Sequence, residues 1–236
     1  MAADLLAQLA AQPERAAILL DVDGTLAPIV ERPEDAGVPP ETRAELERLA
    51  ARYALVACVS GRASADAAAT VGVERIVYVG THGLELEPEA ERWAGALHEF
   101  AAGVPWPVED KGLSVSFHYR GALDEAAARA ELEGVATAAR AAGLRARFGR
   151  KVLELLPPID ANKGTAIRRL LGERELGRAL YAGDDTTDLD AFRALDGLEI
   201  AVRVAVASAE GPLELRAAAD LVVASPEALL DLLHLL

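Results

Sequence analysis

Residues 17–26 read Ala17-Ile18-Leu19-Leu20-Asp21-Val22-Asp23-Gly24-Thr25-Leu26, an apolar run that ends in two acids and a glycine. Short apolar runs of this kind are typical of buried strands in a parallel sheet. Alternate residues of an extended segment point the same way, so we expect the Asp21 and Asp23 carboxylates to emerge together where the strand ends. Such carboxylates repel each other, and a divalent cation would relieve the repulsion. The alternative is a solvated acidic turn.

Further apolar runs recur along the chain and predict the remaining strands of the same sheet. They are residues 54–59, 76–79, 179–182, 200–202 and 221–223. Helical patterns lie between them, at residues 42–51, at 163–171 with Gly172 as the expected C-terminal cap, at 188–195, and from Ser225 onward. Alternating strands and helices predict an α/β fold, with a doubly wound Rossmann-like core formed by residues 1–84 and 159–236.

Residues 85–158 show a different pattern, which predicts an inserted α+β cap domain. Within 113–120, apolar residues alternate with Ser114, Ser116, His118 and Arg120, as in a sheet with one covered and one open face. An alanine-rich helix is expected at 124–142. The runs 144–148 and 151–156 flank a Gly149-Arg150 turn, which predicts a hairpin.

Polar groups follow several of the predicted strands. Asp184, Asp185 and Asp188 form a second acidic cluster, and oxygen ligands of this kind suit Mg²⁺. One of Asp184 and Asp188 would bind the ion while the other orients ligands; capping of the following helix by Thr187 and Asp188 is the alternative. Ser60-Gly61 offers a hydroxyl and backbone N–H groups to a phosphate, and Lys163-Gly164 adds a cation at a helix N-terminus.

Composition limits the classes of partner. The 236 residues carry a net charge of −14, which argues against a nucleic-acid surface and allows a small anionic substrate. No apolar run is long enough to cross a bilayer, and residues 1–15 lack the features of a signal peptide. Cys58 is the one cysteine, as suits a reducing compartment. We expect a cytoplasmic protein without membrane contact; oligomeric state stays open, a monomer included.

The motifs resemble those of the haloacid dehalogenase superfamily of phosphotransferases. The resemblance implies that Asp21 attacks phosphorus to form an aspartyl phosphate, and that Asp23 protonates the leaving oxygen and then activates water. It also implies Mg²⁺ held by Asp21, the Asp23 backbone carbonyl and Asp184, with Ser60 and Lys163 holding phosphate oxygens. The metal-binding residues would then be Asp21, Asp23, Asp184 and Asp188.

Segments between about residues 17 and 192 are similar to those of trehalose-6-phosphate phosphatases. They include Ser60-Gly61-Arg62, residues 80–83, residues 109–112, residues 117–120 and Asn162-Lys163-Gly164. The similarity implies a sugar phosphate substrate and a cap that closes over the sheet edge. From the compact length of the chain we expect a free-standing phosphatase. It implies these substrate-binding residues: Arg62, His82, Glu109, Lys111, Arg120 and Glu154. Leu189 departs from the pattern, since an acid commonly follows Asp188.

Alternatives remain at the level of residues and of function. His82 would equally serve as a structural histidine under a glycine-rich turn, and Glu109 and Lys111 as an ordinary charged loop. The nearest rival function is a phosphatase for sucrose phosphate or mannosyl phosphoglycerate. A phospho-aspartate receiver domain and a binding protein on an inactive scaffold are rivals from other classes.

Overall fold

The computed structural model describes residues 2–30, 36–149, 151–207 and 211–236, and the chain divides into two compact units. One comprises Met1–Gly83 and Ala161–Leu236, the other Leu84–Asp160. The strands, numbered along the chain, are β1 Ala16–Leu20, β2 Leu55–Val59, β3 Val77–Val79, β4 Glu109–Asp110, β5 Val115–His118, β6 Arg145–Gly149, β7 Val152–Leu156, β8 Arg178–Gly183, β9 Ile200–Val206 and β10 Leu221–Val223. The helices are α1 Ala2–Ala10, α2 Pro40–Arg52, α3 Ser64–Val71, α4 Glu91–Ala102, α5 Glu125–Ala141, α6 Lys163–Gly172, α7 Asp188–Ala194, α8 Leu213–Ala218 and α9 Pro226–Leu233.

The first unit contains a six-stranded parallel sheet in the order β10-β9-β8-β1-β2-β3. Every residue of β1, β2 and β8 is buried, as their apolar runs predict. The chain moves from β1 out to β3 and later returns to β8 on the other side of β1. Loops leaving β1 and β8 therefore diverge. Ligands of open α/β sheets bind in the crevice at such a point, where the strand order reverses. The predicted doubly wound α/β fold is confirmed.

Helices cover both faces of this sheet. Leu9 of α1, Leu46 of α2 and Leu229 of α9 join one apolar cluster with alternate residues of β1 and β8. On the other face Phe192 of α7 lies edge-on to Tyr181 of β8, with ring centroids 6.1 Å apart. The expected cap at Gly172 is wrong, because Gly172 is the last residue of α6.

The second unit contains a four-stranded antiparallel sheet in the order β4-β5-β7-β6. Phe117 and Leu153 share an apolar cluster with Leu132 of α5. The polar face expected at 113–120 is open only in part, since Ser114 and Ser116 are buried and His118 is exposed. Arg120 lies in a turn beyond β5, and Arg150 of the predicted hairpin turn lies outside the described residues.

The approach of α6 to α7 requires a glycine at position 164. A methyl group there would lie 2.3 Å from the backbone oxygen of Asp190, whereas nothing lies within 4 Å at Gly134 of α5. We expect Gly164→Ala to lower the free energy of unfolding by roughly 1–3 kcal/mol through overpacking. Gly134→Ala, the matched control, should raise it by about 0.5–1 kcal/mol. Urea titration measures both, and equal stability of the two variants would contradict the close contact.

Candidate active site

Buried carboxylates from three sequence positions meet at the carboxyl ends of β1 and β8. Asp21 follows β1, Asp184 follows β8 and Asp188 begins α7. The Asp21 N–H donates to the Ala182 carbonyl oxygen at 2.9 Å, so the hydrogen bonding between the two strands continues to their carboxyl ends. One oxygen from each carboxylate lies within 4.8 Å of the others. Clustered hard oxygen donors of this kind can hold a divalent cation.

Lys163 is the cation within this cluster, at the start of α6. Its Nζ lies 2.7 Å from Asp21 Oδ1 and 2.7 Å from Asp188 Oδ1. Burial alone would lower the pKa of Lys163, but the Asp188 and Asp21 carboxylates outweigh burial and raise it, so the ammonium stays charged. Asn162 accepts a hydrogen bond from the Thr165 N–H and fixes where this helix begins.

The surroundings of Asp21 change the pKa of its carboxyl group. Burial raises the pKa of its carboxyl group well above the usual value; the Lys163 ammonium opposes the shift, and Asp188 and Asp184 add to it. A bound cation would act in the same direction as Lys163 and favour the ionised form. One oxygen from each of the three carboxyl groups lies close to the others, so the donor set fits a divalent ion.

Asp188 accepts hydrogen bonds at both oxygens. Oδ1 accepts from Lys163 Nζ and from the Tyr181 hydroxyl at 2.6 Å, and Oδ2 from the N–H groups of Asp184 and Asp185 at 2.8 and 2.9 Å. The arrangement favours an orienting role for Asp188 and leaves Asp184 as the better ligand. Thr187 makes no side-chain cap, so that half of the capping alternative is wrong. Sequence reasoning missed Tyr181, because a tyrosine within an apolar strand reads as core.

Ser60 and His82 lie on neighbouring loops that are tied together. The His82 N–H donates to the Ser60 carbonyl oxygen at 2.9 Å. His82 has φ 54°, in the left-handed region that non-glycine residues seldom adopt. A Cβ on Gly61 would lie 2.7 Å from His82 Nε2, so the imidazole packs against this glycine.

Asp23 differs from the sequence expectation. Its carboxylate binds the Arg62 guanidinium through two 2.7 Å hydrogen bonds instead of joining the three-acid cluster. Gly24, with φ +82°, lies directly beneath Asp184, where a Cβ would be 2.2 Å from Oδ2. The two acids of the first motif therefore have different surroundings, and a metal contact through the Asp23 backbone carbonyl stays a prediction.

The second unit carries its own charged cluster. Lys111 Nζ lies 3.7 Å from Glu109 Oε2 and 3.8 Å from Glu154 Oε1. Glu154 is buried and also forms an ion pair with Arg147, its partner in register on β6. His118 Nε2 lies 2.6 Å from Glu109 Oε2. The structure thus brings Glu109, Lys111 and Glu154 together and adds Arg147, which the sequence did not single out.

Known proteins match most of the chain. The family model described as trehalose-phosphatase matches residues 19–106 and 105–219. An uncharacterized glycosyl hydrolase of Mycobacterium tuberculosis is 39% identical over 218 residues, which cover 80% of this chain and 16% of that protein. The trehalose-phosphate phosphatase of Mycobacterium marinum is 37% identical over 217 residues, which cover 80% of this chain and 54% of that protein.

Solved structures agree with these matches. The crystal structure of a trehalose-6-phosphate phosphatase related protein is 27% identical, with TM-score 0.72, and the match covers 92% of this chain and 95% of that one. A solved haloacid dehalogenase-like hydrolase shares the fold. The chain spans about half the length of the Mycobacterium marinum relative and a smaller share of the glycosyl hydrolase. No helix among the described residues has both the length and the apolar character needed to span a membrane.

The acid cluster predicts a stability change on cation binding. Mg²⁺ at roughly 10–100 times its Kd should raise the free energy of unfolding by about 1.4–2.7 kcal/mol. Asp184→Asn should remove that gain, since a ligand is lost, and should not destabilise the metal-free protein, since a repulsive charge is lost. Asp66→Asn, an exposed acid of α3, is the matched control and should gain as the wild type does. Melting curves with MgCl₂ and with EDTA measure this; an unchanged gain in Asp184→Asn would place the ion elsewhere.

Proposed function

The chain belongs to the trehalose-phosphatase family, and we propose that it hydrolyses trehalose 6-phosphate to trehalose and inorganic phosphate. The observation that carries the proposal is the buried Asp21 carboxylate, held 2.7 Å from Lys163 beside Asp184 at the ends of two adjacent strands. The Lys163 ammonium beside this carboxylate reduces the repulsion between the nucleophile and a phosphate dianion.

The first half-reaction transfers the phosphoryl group to the protein. The Asp21 carboxylate attacks phosphorus, the bond from phosphorus to the sugar oxygen breaks, and its electron pair stays on that oxygen. The Asp23 carboxyl group gives its proton to the leaving oxygen. The products of this step are trehalose, an aspartyl phosphate at residue 21 and an ionised Asp23.

The second half-reaction regenerates the protein. A water molecule attacks the phosphorus of the aspartyl phosphate while the Asp23 carboxylate takes one of its protons. The acyl phosphate bond breaks, inorganic phosphate leaves, and Asp21 is again a carboxylate. Asp23 ends the cycle protonated, as it began, so protons and charge balance over the two steps.

The remaining groups of this site would bind the phosphate or orient the residues that bind it. Mg²⁺, held by Asp21, Asp184 and the Asp23 backbone carbonyl, would neutralise charge on the transferring group. Lys163 and the Ser60 hydroxyl would hold phosphate oxygens, and Asp188 keeps Lys163 and the 184–185 backbone in place. His82 packs against Gly61 and thereby supports the loop that contains Ser60.

The cap cluster supports recognition of a sugar. Glu109, Lys111 and Glu154 combine acceptors and a donor, which suits hydroxyl groups that do both. We assign Arg120 to the same task from the family resemblance. A phosphatase for sucrose phosphate or mannosyl phosphoglycerate would share the core chemistry and differ in these contacts. Family membership argues against the receiver-domain alternative.

Asp21→Asn tests the nucleophile. We expect phosphate release from trehalose 6-phosphate to fall at least about 1,000-fold, because the amide is a poor nucleophile of nearly the same volume. Lys163 retains Asp188 as a partner, so the variant should fold. Release of phosphate in MgCl₂, with EDTA as the blank, is the assay. The wild-type protein is also assayed with sucrose phosphate, glucose phosphate and mannosyl phosphoglycerate. Preference for one of these over trehalose 6-phosphate would overturn the proposed substrate.

Glu154→Gln tests the sugar cluster. The substitution keeps the size of the side chain but removes the charge that pairs with Arg147 and approaches Lys111. We expect kcat/KM for trehalose 6-phosphate to fall roughly 10–100-fold, as for loss of a charged hydrogen bond worth 1.5–3 kcal/mol, while 4-nitrophenyl phosphate is little affected. Glu133→Gln, on the exposed side of α5, is the control. Equal losses on the two esters would remove Glu154 from sugar binding.

A further inference from the structure

We propose that Arg62 is a positioning residue for the Asp23 carboxylate, an inference that rests on the proposed hydrolysis. The family resemblance assigns Arg62 to substrate binding. In the structure its guanidinium engages the acid that carries protons in both half-reactions. Arg62 would then act on the reaction through Asp23.

The geometry of the pair fixes the position of the carboxylate. Arg62 Nε donates to Asp23 Oδ2 and Nη2 donates to Oδ1, each at 2.7 Å. Two parallel hydrogen bonds from a planar fork fix both the distance and the rotation of a carboxylate, which a single donor cannot do. The Asp23 side chain is 41% exposed and the Arg62 side chain 14%. The less exposed side chain, that of Arg62, therefore holds the more exposed one, that of Asp23.

The Arg62 backbone is itself anchored on both sides. Its N–H donates to Ser60 Oγ at 3.1 Å, and its carbonyl oxygen accepts from the Thr81 N–H at 2.7 Å. Thr81 has φ 48° and His82 has φ 54°, so two successive residues adopt the left-handed backbone. Such strain persists only where surrounding contacts enforce it, and functional sites are where it concentrates. Here it directs the two N–H groups to the Arg62 and Ser60 carbonyl oxygens.

Positioning matters because Asp23 must meet two different oxygen atoms in succession. It first gives a proton to the ester oxygen as the bond to phosphorus breaks, and then takes one from the attacking water. A carboxyl group that swings freely in solvent would rarely lie in line for both transfers. Arg62→Lys keeps the positive charge but loses the fork, so it separates positioning from charge.

The dependence on the leaving group measures this role. Phenyl phosphate and 4-nitrophenyl phosphate present the same phosphate, but phenolate needs protonation as it leaves far more than 4-nitrophenolate does. We compare kcat/KM, which reports events up to departure of the first product. For Arg62→Lys we expect kcat/KM to fall roughly 10–100-fold with phenyl phosphate and less than about 3-fold with the nitro ester, because misplacing the acid should cost less than its loss, about 100–10,000-fold.

Two further variants make the comparison specific. Asp23→Asn should widen the ratio of kcat/KM between the two esters by at least as much as Arg62→Lys does. Adding Arg62→Lys to Asp23→Asn should change this ratio little, because the two residues act as one unit. Arg48→Lys is the matched control, since Arg48 forms a similar two-bond pair with Glu45 on α2. It should leave the ratio unchanged. Melting temperatures confirm that each variant is folded.

The outcomes separate the possible roles of Arg62. Equal falls on both esters with raised KM would show that Arg62 binds the phosphate, and an unchanged or faster Arg62→Lys would show that the pair is unnecessary; either overturns the proposal. A ratio unaffected by Asp23→Asn would instead overturn the acid assignment on which it rests. Wild-type turnover of aryl esters without turnover of trehalose 6-phosphate would overturn the substrate alone and leave this test intact.

Discussion

Burial of three carboxylates, two of them paired with one ammonium, is the constraint on which the site depends. Ion pairs removed from water cost free energy unless each charge has partners in good geometry. Lys163 meets that demand for Asp21 and Asp188, and two backbone N–H groups and the Tyr181 hydroxyl complete it for Asp188. Asp184 lies over Gly24, which only a residue without a Cβ allows. The clustering of three carboxylates at one place is what suits it to a cation.

The fold and the meeting of the acids could be predicted because both depend on local signals. An apolar run followed by acids specifies a buried strand and the residues at its carboxyl end, and parallel strands bring such ends to one edge. Asp21 and Asp184 follow strands that are adjacent in the sheet, and their backbones meet at the Asp21 N–H. Strand order is a tertiary property that these local signals do not specify.

The side-chain partners could not be read from the sequence in the same way. Arg62 lies 39 positions from Asp23, and nothing in either motif states which carboxylate the guanidinium will reach. Tyr181 looks like an ordinary core residue, and Arg147 pairs with Glu154 only because β6 and β7 pair in one register. Alternation also misled at Ser116, which is buried although its neighbours suggest an open face. These features depend on register and rotamer, which periodicity does not specify.

Two aspartates of one motif thus acquire different chemistry from their surroundings. Asp21 is buried and held by a lysine, so its carboxylate is kept from water, as the proposed attack on phosphorus requires. Asp23 is partly exposed and held by an arginine that keeps its own protons at neutral pH, so water can reach its carboxyl group, as the proposed proton transfers require. A nucleophile needs the first environment and a proton carrier needs the second. Only one residue separates the two acids, so both lie at the same strand end. Their surroundings differ because the loops after β2 and β3 supply the arginine and fix its backbone.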